Sequence, residues 1–290
     1  MLEISILLPA IVNGLTIGAI YALVALGLTL IYGVLHIINF AHGSLLMVAL
    51  YGVYFLHQLL GIDPYVALLI VPPALFALGY AMQRGVIGRA SHGKDENVLL
   101  VTLGIAIVLD NLALYLWKAD TRTIDTSYGF DTIDLGIAAV AVPKAVAFVA
   151  TLTIAALLWL LMARTDLGRA IRAVAKERQG ARLMGIDVEH IFAMSFGIGA
   201  ACVGAAACLL LPSFYVAPSV GQVFVLIAFT VVVLGGMGSF AGAMIGGLII
   251  GVTESVGGLF LGESLGQIGI FLIFIAVLLF RPLGLLGHRS

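Results

Sequence analysis

From residue 4 to residue 62 the chain contains no Asp, Glu, Lys or Arg, and from 190 to 280 only Glu254 and Glu263 interrupt a second such run. One lipid-crossing helix needs about 20 apolar residues, so each run holds several, and a water-soluble fold would have no interior large enough to bury them. Across the 290 residues, 62% are hydrophobic and 10% charged, against roughly 25% charged in soluble domains. Backbone polar groups in lipid must be satisfied within the segment, which leaves the helix as the form these runs take.

The expected fold is therefore an all-α integral membrane protein, a polytopic bundle of eight or nine transmembrane helices forming one domain over 1–290. Breaks at charge, Pro and Gly predict spans at 10–34, 40–60, 64–83, 97–117, 145–163, 191–212, 222–236, 240–260 and 267–280. The segment 222–236 is short enough to be re-entrant or broken. The amino terminus lacks a basic leader and a small-residue cleavage site, and reads as the start of the first span.

Lys and Arg sort by side. Arg84, Arg89 and Lys94 fall in one loop, six more in 164–190, and Arg281 and Arg289 after the last span. The loop at 118–144 is net acidic. Basic loops face the cytoplasm, so the amino terminus is expected outside and the carboxyl terminus inside. A net charge of −1 argues against a nucleic-acid partner. Cys202 and Cys208, six apart in one apolar helix, suggest neither a disulfide nor a metal site.

Two motif matches carry no chemistry. Gly88 to Lys94 reads GRASHGK, but Asp95 stands where a phosphate-binding loop needs Ser or Thr for magnesium. ATP hydrolysis by this chain is not expected. Gly262, Ser264 and Gly266 fit GxSxG, a motif that works on a strand-to-helix turn with a His nearby, whereas here it lies in a short external loop.

The segment 164–190 is more informative. Leu167, Ile171, Val174 and Ala181 form an apolar stripe, Arg169, Arg172, Lys176 and Arg182 occupy other faces, and Gly185 is a suitable stop. One amphipathic cytoplasmic helix from Leu167 to Gly185 is expected, resting on anionic lipid headgroups or docking a soluble partner. Within the spans, Asn39, His42, Asp110, Asn111 and Glu254 are costly in lipid and mark a cavity or a bundle interior. INFAHG, from Ile38 to Gly43, falls where the first apolar region must turn, as irregular backbone lining a cavity would. In GGMGSFAGAMIGGLIIG, which opens with Gly235 and Gly236, Gly238, Gly242 and Gly246 make one small-residue row and Ala243, Gly247 and Gly251 its neighbour. Such rows let helices approach closely, within one subunit or against another.

These blocks together resemble the permease subunits of branched-chain amino acid ABC importers, the shorter of the two permease types. The resemblance runs through NGLTIGAIYALVALGLTLIYGV, INFAHG, TDLGRAIRAVAKERQGARLMGI, VVVLGGMGSFAGAMIGGLIIGVTE and RPLGLLG. It implies transport of branched-chain amino acids, or related small amino acids or amides, across the bacterial cytoplasmic (inner) membrane by ATP-driven alternating access. It also implies two ATP-binding subunits carrying ATP and Mg, a second and longer permease subunit, and an extracytoplasmic substrate-binding protein, with no cofactor on this chain.

In that frame 164–190 resembles the coupling segment, with Arg178 among its residues. Gln179, Gly180, Ala181 and Gly185 stand in the register of the importer pattern EAAxxxG, with Gln and Gly in place of Glu and the first Ala. Asn39, His42 and Glu254 match characteristic family positions and are candidates for the translocation path or its gates. The competing class is an ion-gradient-driven secondary transporter or channel, in which Glu254 and His42 would couple.

Overall fold

The computed structural model describes residues 2–90, 95–134, 136, 139–281 and 284–287. Lys94, Arg289, Pro282, Leu283 and the Ser91–Lys94 part of the phosphate-loop match lie outside the described residues, as does the Ser264 side chain.

The long charge-free run folds first into one unbroken helix, α1 (Leu2–Leu35), about 51 Å long at 1.5 Å per residue. It ends at His36, whose φ of 58° is left-handed and stops the helix. Residues 36–40 run back as irregular chain before α2 (Ala41–Leu60), which closes on the left-handed Gly61. Next come α3 (Val71–Met82), a π-helical turn at Gln83–Ile87 and the single turn α4 (Gly88–Ala90). α5 (Asp95–Trp117) follows, and a short β-hairpin pairs Thr132–Asp134 with Ala139–Ala141.

α6 (Val142–Arg164) leads into two short helices, α7 (Asp166–Lys176) and α8 (Arg178–Leu183). α9 (Val188–Leu210), α10 (Val220–Gly235), α11 (Phe240–Leu261) and α12 (Glu263–Phe280) complete the bundle. Among the described residues seven helices are long and apolar enough to cross a membrane, and Val220–Gly235 and Ile268–Phe280 are shorter apolar helices. At 16 residues, α10 is about 24 Å long, short of the roughly 30 Å hydrocarbon core.

α1 and α9 form the buried centre, while α5 and α6 turn apolar faces outward. Glycine sets the distance between α1 and α11. A methyl group on Gly251 would sit 2.4 Å from the Gly14 carbonyl oxygen and from the Gly18 Cα, so the two backbones touch there and no side chain fits. Ser255 fixes the same seam by donating to the Ala10 carbonyl, 2.7 Å.

The molecule has two ends. At the hairpin end Lys144 donates to Asn13 Oδ1 (2.6 Å), Arg122 bridges to Val216, and Tyr128 donates to Asp63 (2.8 Å). Burial and the Asp63 carboxylate raise the Tyr128 phenol well above the usual tyrosine range and push Tyr65 up to about 12. At the opposite, basic end lie Arg84, α7, α8 and the carboxyl-terminal segment, in which Leu285 and Leu286 donate to the carbonyls of Leu234 and Gly235.

Candidate functional site

The expected single amphipathic helix from Leu167 to Gly185 is broken. Glu177 adopts an extended backbone (φ −156°, ψ 105°), ends α7, and accepts from Gln179 N to start α8. Thr165 caps α7 by accepting from Gly168 N. The apolar stripe faces inward: Ile171, Val174 and Ala181 are buried and Leu167 is half-buried against the bundle. The stripe thus anchors the segment to its own chain.

Two arginines strengthen that anchor. Arg172 donates to the Met162 carbonyl at the end of α6. Arg178 donates to the Leu35 carbonyl at the end of α1 (2.7 Å) and lies over the Phe192 ring at 5.2 Å. Lys176, Arg169 and Arg182 point outward, Arg169 paired to Asp166. What remains exposed at the tip is Leu183 and Met184, 88% and 82% accessible, just before the left-handed Gly185.

Arg178 thereby ties the basic segment to the irregular chain at 36–40. Asn39 is buried there, and its Oδ1 accepts from Ala41 N (3.0 Å), fixing the start of α2. Its Nδ2 has no partner. In the first turn of α2, His42 is fully buried, and its Nε2–H donates to the Val24 carbonyl (2.9 Å). Val24 lies eleven residues, about 16 Å, from the end of α1, so α2 begins deep inside the bundle.

α10 begins at the same depth. A methyl group on Gly43 would sit 2.1 Å from the Gly221 carbonyl oxygen, which brings the amino-terminal turns of α2 and α10 into backbone contact. Each follows an irregular stretch, 36–40 and 214–219, and they run to opposite ends. Asp110 on α5 reaches the first turn of α10 through Gln222 (3.4 Å).

Glu254 is half-buried on α11 and faces Tyr21 on α1; its Oε2 makes no hydrogen bond. Tyr21 and Val24 lie one turn apart, so Glu254 and His42 reach the same stretch of α1 from different helices. The two are not bonded to each other.

The glycine rows face helices of this same chain. Gly235 and Gly242 meet where α10 turns into α11, each Cβ position within 2.2 Å of the other's carbonyl oxygen. Gly246 faces Val231 and Gly247 faces Ala22. Gly236 and Gly238 form the turn, with positive φ.

Gln83 carried no expectation from the sequence. It is buried at the first residue of the π-helical turn, its Oε1 is unpartnered, and it lines with Asn39 a pocket walled by Ile31, Leu35, Ile37, Ile38, Val98, Thr102 and Phe196. The available signal was one amide in an otherwise apolar span just before Arg84.

Over residues 10–280 the chain matches the family described as "Branched-chain amino acid transport system / permease component". It is 36% identical to the high-affinity branched-chain amino acid transport system permease protein BraD of Pseudomonas aeruginosa, covering 99% of this chain and 98% of that one. It is 31% identical to the LivH permease of Escherichia coli (95% and 94% covered) and 31% identical to the probable LivH permease of Methanocaldococcus jannaschii (91% and 88%). No solved structure matches it.

Proposed function

Because the chain belongs to the family of permease components of branched-chain amino acid transport systems, we propose that it is the membrane permease subunit of an ATP-driven importer of branched-chain amino acids. The observation that carries this reading is near full-length similarity to permeases that bear that name. It is a transport subunit and not an enzyme. ATP and Mg belong to two partner ATP-binding subunits, a second and longer permease completes the membrane part, and an extracytoplasmic binding protein delivers cargo. The excess of Lys and Arg at the basic end supports placing that end in the cytoplasm, with the protein in the bacterial inner membrane as the reading.

The α7–α8 segment is the coupling element. Its stripe is occupied by the permease itself, so the ATPase-facing surface is the tip, Leu183 and Met184 with Arg182 beside them. Two exposed apolar side chains on a basic cytoplasmic turn suit a cleft in a soluble subunit. Force on the tip passes through Arg178 to Leu35 and then to the 36–40 chain that bears Asn39 and leads to His42. The close-packed helix starts at Gly43 and Gly221 give the bundle an interface that moves between packed arrangements, the usual basis of a two-state switch.

Purification of the tagged chain in mild detergent tests this reading. Two ATPase polypeptides and a second permease should come with it, and reconstituted vesicles should take up L-leucine only with ATP. Recovery of the chain alone, with uptake driven by an ion gradient, would overturn it.

A further inference from the structure

Depth inside the bundle can be measured along α1. Val24 lies eleven residues from Asn13 and eleven from Leu35, about 16 Å each way. The Val24 carbonyl holds His42 in the first turn of α2, and the next residue, Gly43, touches Gly221 in the first turn of α10. Gln222 follows at once, and its Nε2 donates to Asp110 Oδ2 on α5 (3.4 Å). Gln222, Asp110 and the adjoining Asn111 therefore lie near mid-height, between the hairpin end and the basic end.

A side chain on the outer surface at that height meets lipid unless something else covers it. Gln222 and Asn111 are exposed, and Asp110 is half-buried. Two amides and a carboxylate grouped in hydrocarbon are costly, and such groups mark aqueous pathways. The outward face of α6 shows the contrast. Val149, Leu152, Leu157 and Leu160 are exposed there, and the Thr153 hydroxyl among them is satisfied by the Val149 carbonyl of its own helix.

We propose that the face shared by α5 and α10 is a wall of the translocation path, screened from lipid by the second permease subunit, with Asp110 meeting the ammonium of the passing amino acid. Exposed Ile107, Leu114, Val223 and Leu226 border the polar group, so the wall offers aliphatic surface beside a carboxylate, as a zwitterion with an aliphatic side chain requires. Gln222 holds one carboxylate oxygen, while Oδ1 is covered and makes no hydrogen bond. Sliding of α10 against α2 at the Gly43–Gly221 contact moves Gln222 and uncovers that oxygen for a charged donor. The assignment rests on the importer reading above.

The wall is tested with Asn111→Cys in the complete complex in vesicles, against Leu157→Cys on α6, using a membrane-impermeant cationic methanethiosulfonate on both sides. The thiolate is the reacting form and is suppressed in apolar surroundings. Cys202 and Cys208 are buried, and labelling is read by mass on the peptide that carries the substitution. Asn111→Cys should label about tenfold faster or more than Leu157→Cys; equally slow labelling would overturn the wall. The ammonium contact is tested with Asp110→Asn, which keeps the volume and an oxygen for Gln222 and removes the charge. Assembly and ATP hydrolysis should persist while L-leucine uptake falls about tenfold or more through loss of one charged hydrogen bond, and Asp110→Glu should recover part of it. Wild-type uptake by Asp110→Asn would overturn the contact and leave the importer reading intact. Failure of the wild-type complex to move any neutral amino acid with ATP would instead remove the importer reading, and this proposal with it.

Discussion

The Arg178 guanidinium donates to the Leu35 carbonyl across 143 positions of sequence, closing the end of α1 with a charge from the basic segment. A cation at a helix carboxyl terminus also complements the helix dipole. Arg178→Ala removes both effects, which together amount to about 1.5–3 kcal/mol. Uptake by the assembled complex should fall tenfold or more while ATP hydrolysis continues. Tight coupling in this variant, measured as amino acid moved per ATP consumed, would exclude Arg178 from the transmission route.

Leu183 and Met184 stand in water at the tip of the coupling segment. Covering such a side chain is worth about 1.5–3 kcal/mol, so Leu183→Glu with Met184→Glu should weaken ATPase association at least tenfold without changing membrane insertion. Co-purification across a detergent series reads this directly, and unchanged recovery of the ATPase would move the docking surface elsewhere.

The α1–α11 seam has no room for a side chain at Gly251. Gly251→Val should cost about 1–3 kcal/mol through overpacking, seen as earlier thermal unfolding in detergent. Gly52, whose Cβ would meet nothing within 4 Å, is the control: Gly52→Ala should leave the transition within experimental error.

At the hairpin end, burial and the Asp63 carboxylate raise the phenols of Tyr65, to about 12, and Tyr128, higher still. The folded-state values lie above the ordinary value near 10, so their contribution to stability is fully present below about pH 10. It is lost as pH rises through the folded-state values. A spectrophotometric tyrosine titration should find Tyr65 and Tyr128 among the late-ionising phenols, and Asp63→Asn should bring both back toward the ordinary range. Unchanged late ionisation in that variant would rule out the carboxylate as a cause.

The helical spans were legible because charge-free runs leave the backbone one option in lipid, and the break at INFAHG was legible because one apolar region exceeds a single crossing. The basic segment was legible only in part. Periodicity identified Ile171, Val174 and Ala181 as one apolar face, yet it could not say whether a partner, lipid or the chain itself covers that face. The split at Glu177 was hidden because Glu is a good helix former, and only the extended backbone with its cap on Gln179 N reveals the joint. The tip at Leu183 and Met184 was overlooked because two adjacent apolar residues fit no helical period. The Arg178–Leu35 bond and the shared pocket of Asn39 and Gln83 join distant stretches of sequence, and no local pattern encodes them.

The unbroken course of α1 has a last consequence. Lys144 holds its Asn13 near one face of the molecule and Arg178 holds its Leu35 at the other, with no joint among the 21 residues between them. A rod held at two points this far apart cannot yield at one without shifting the other. Movement at the Leu35 end is then carried along the rod to the Asn13 end, so the two faces of the molecule are linked through one helix.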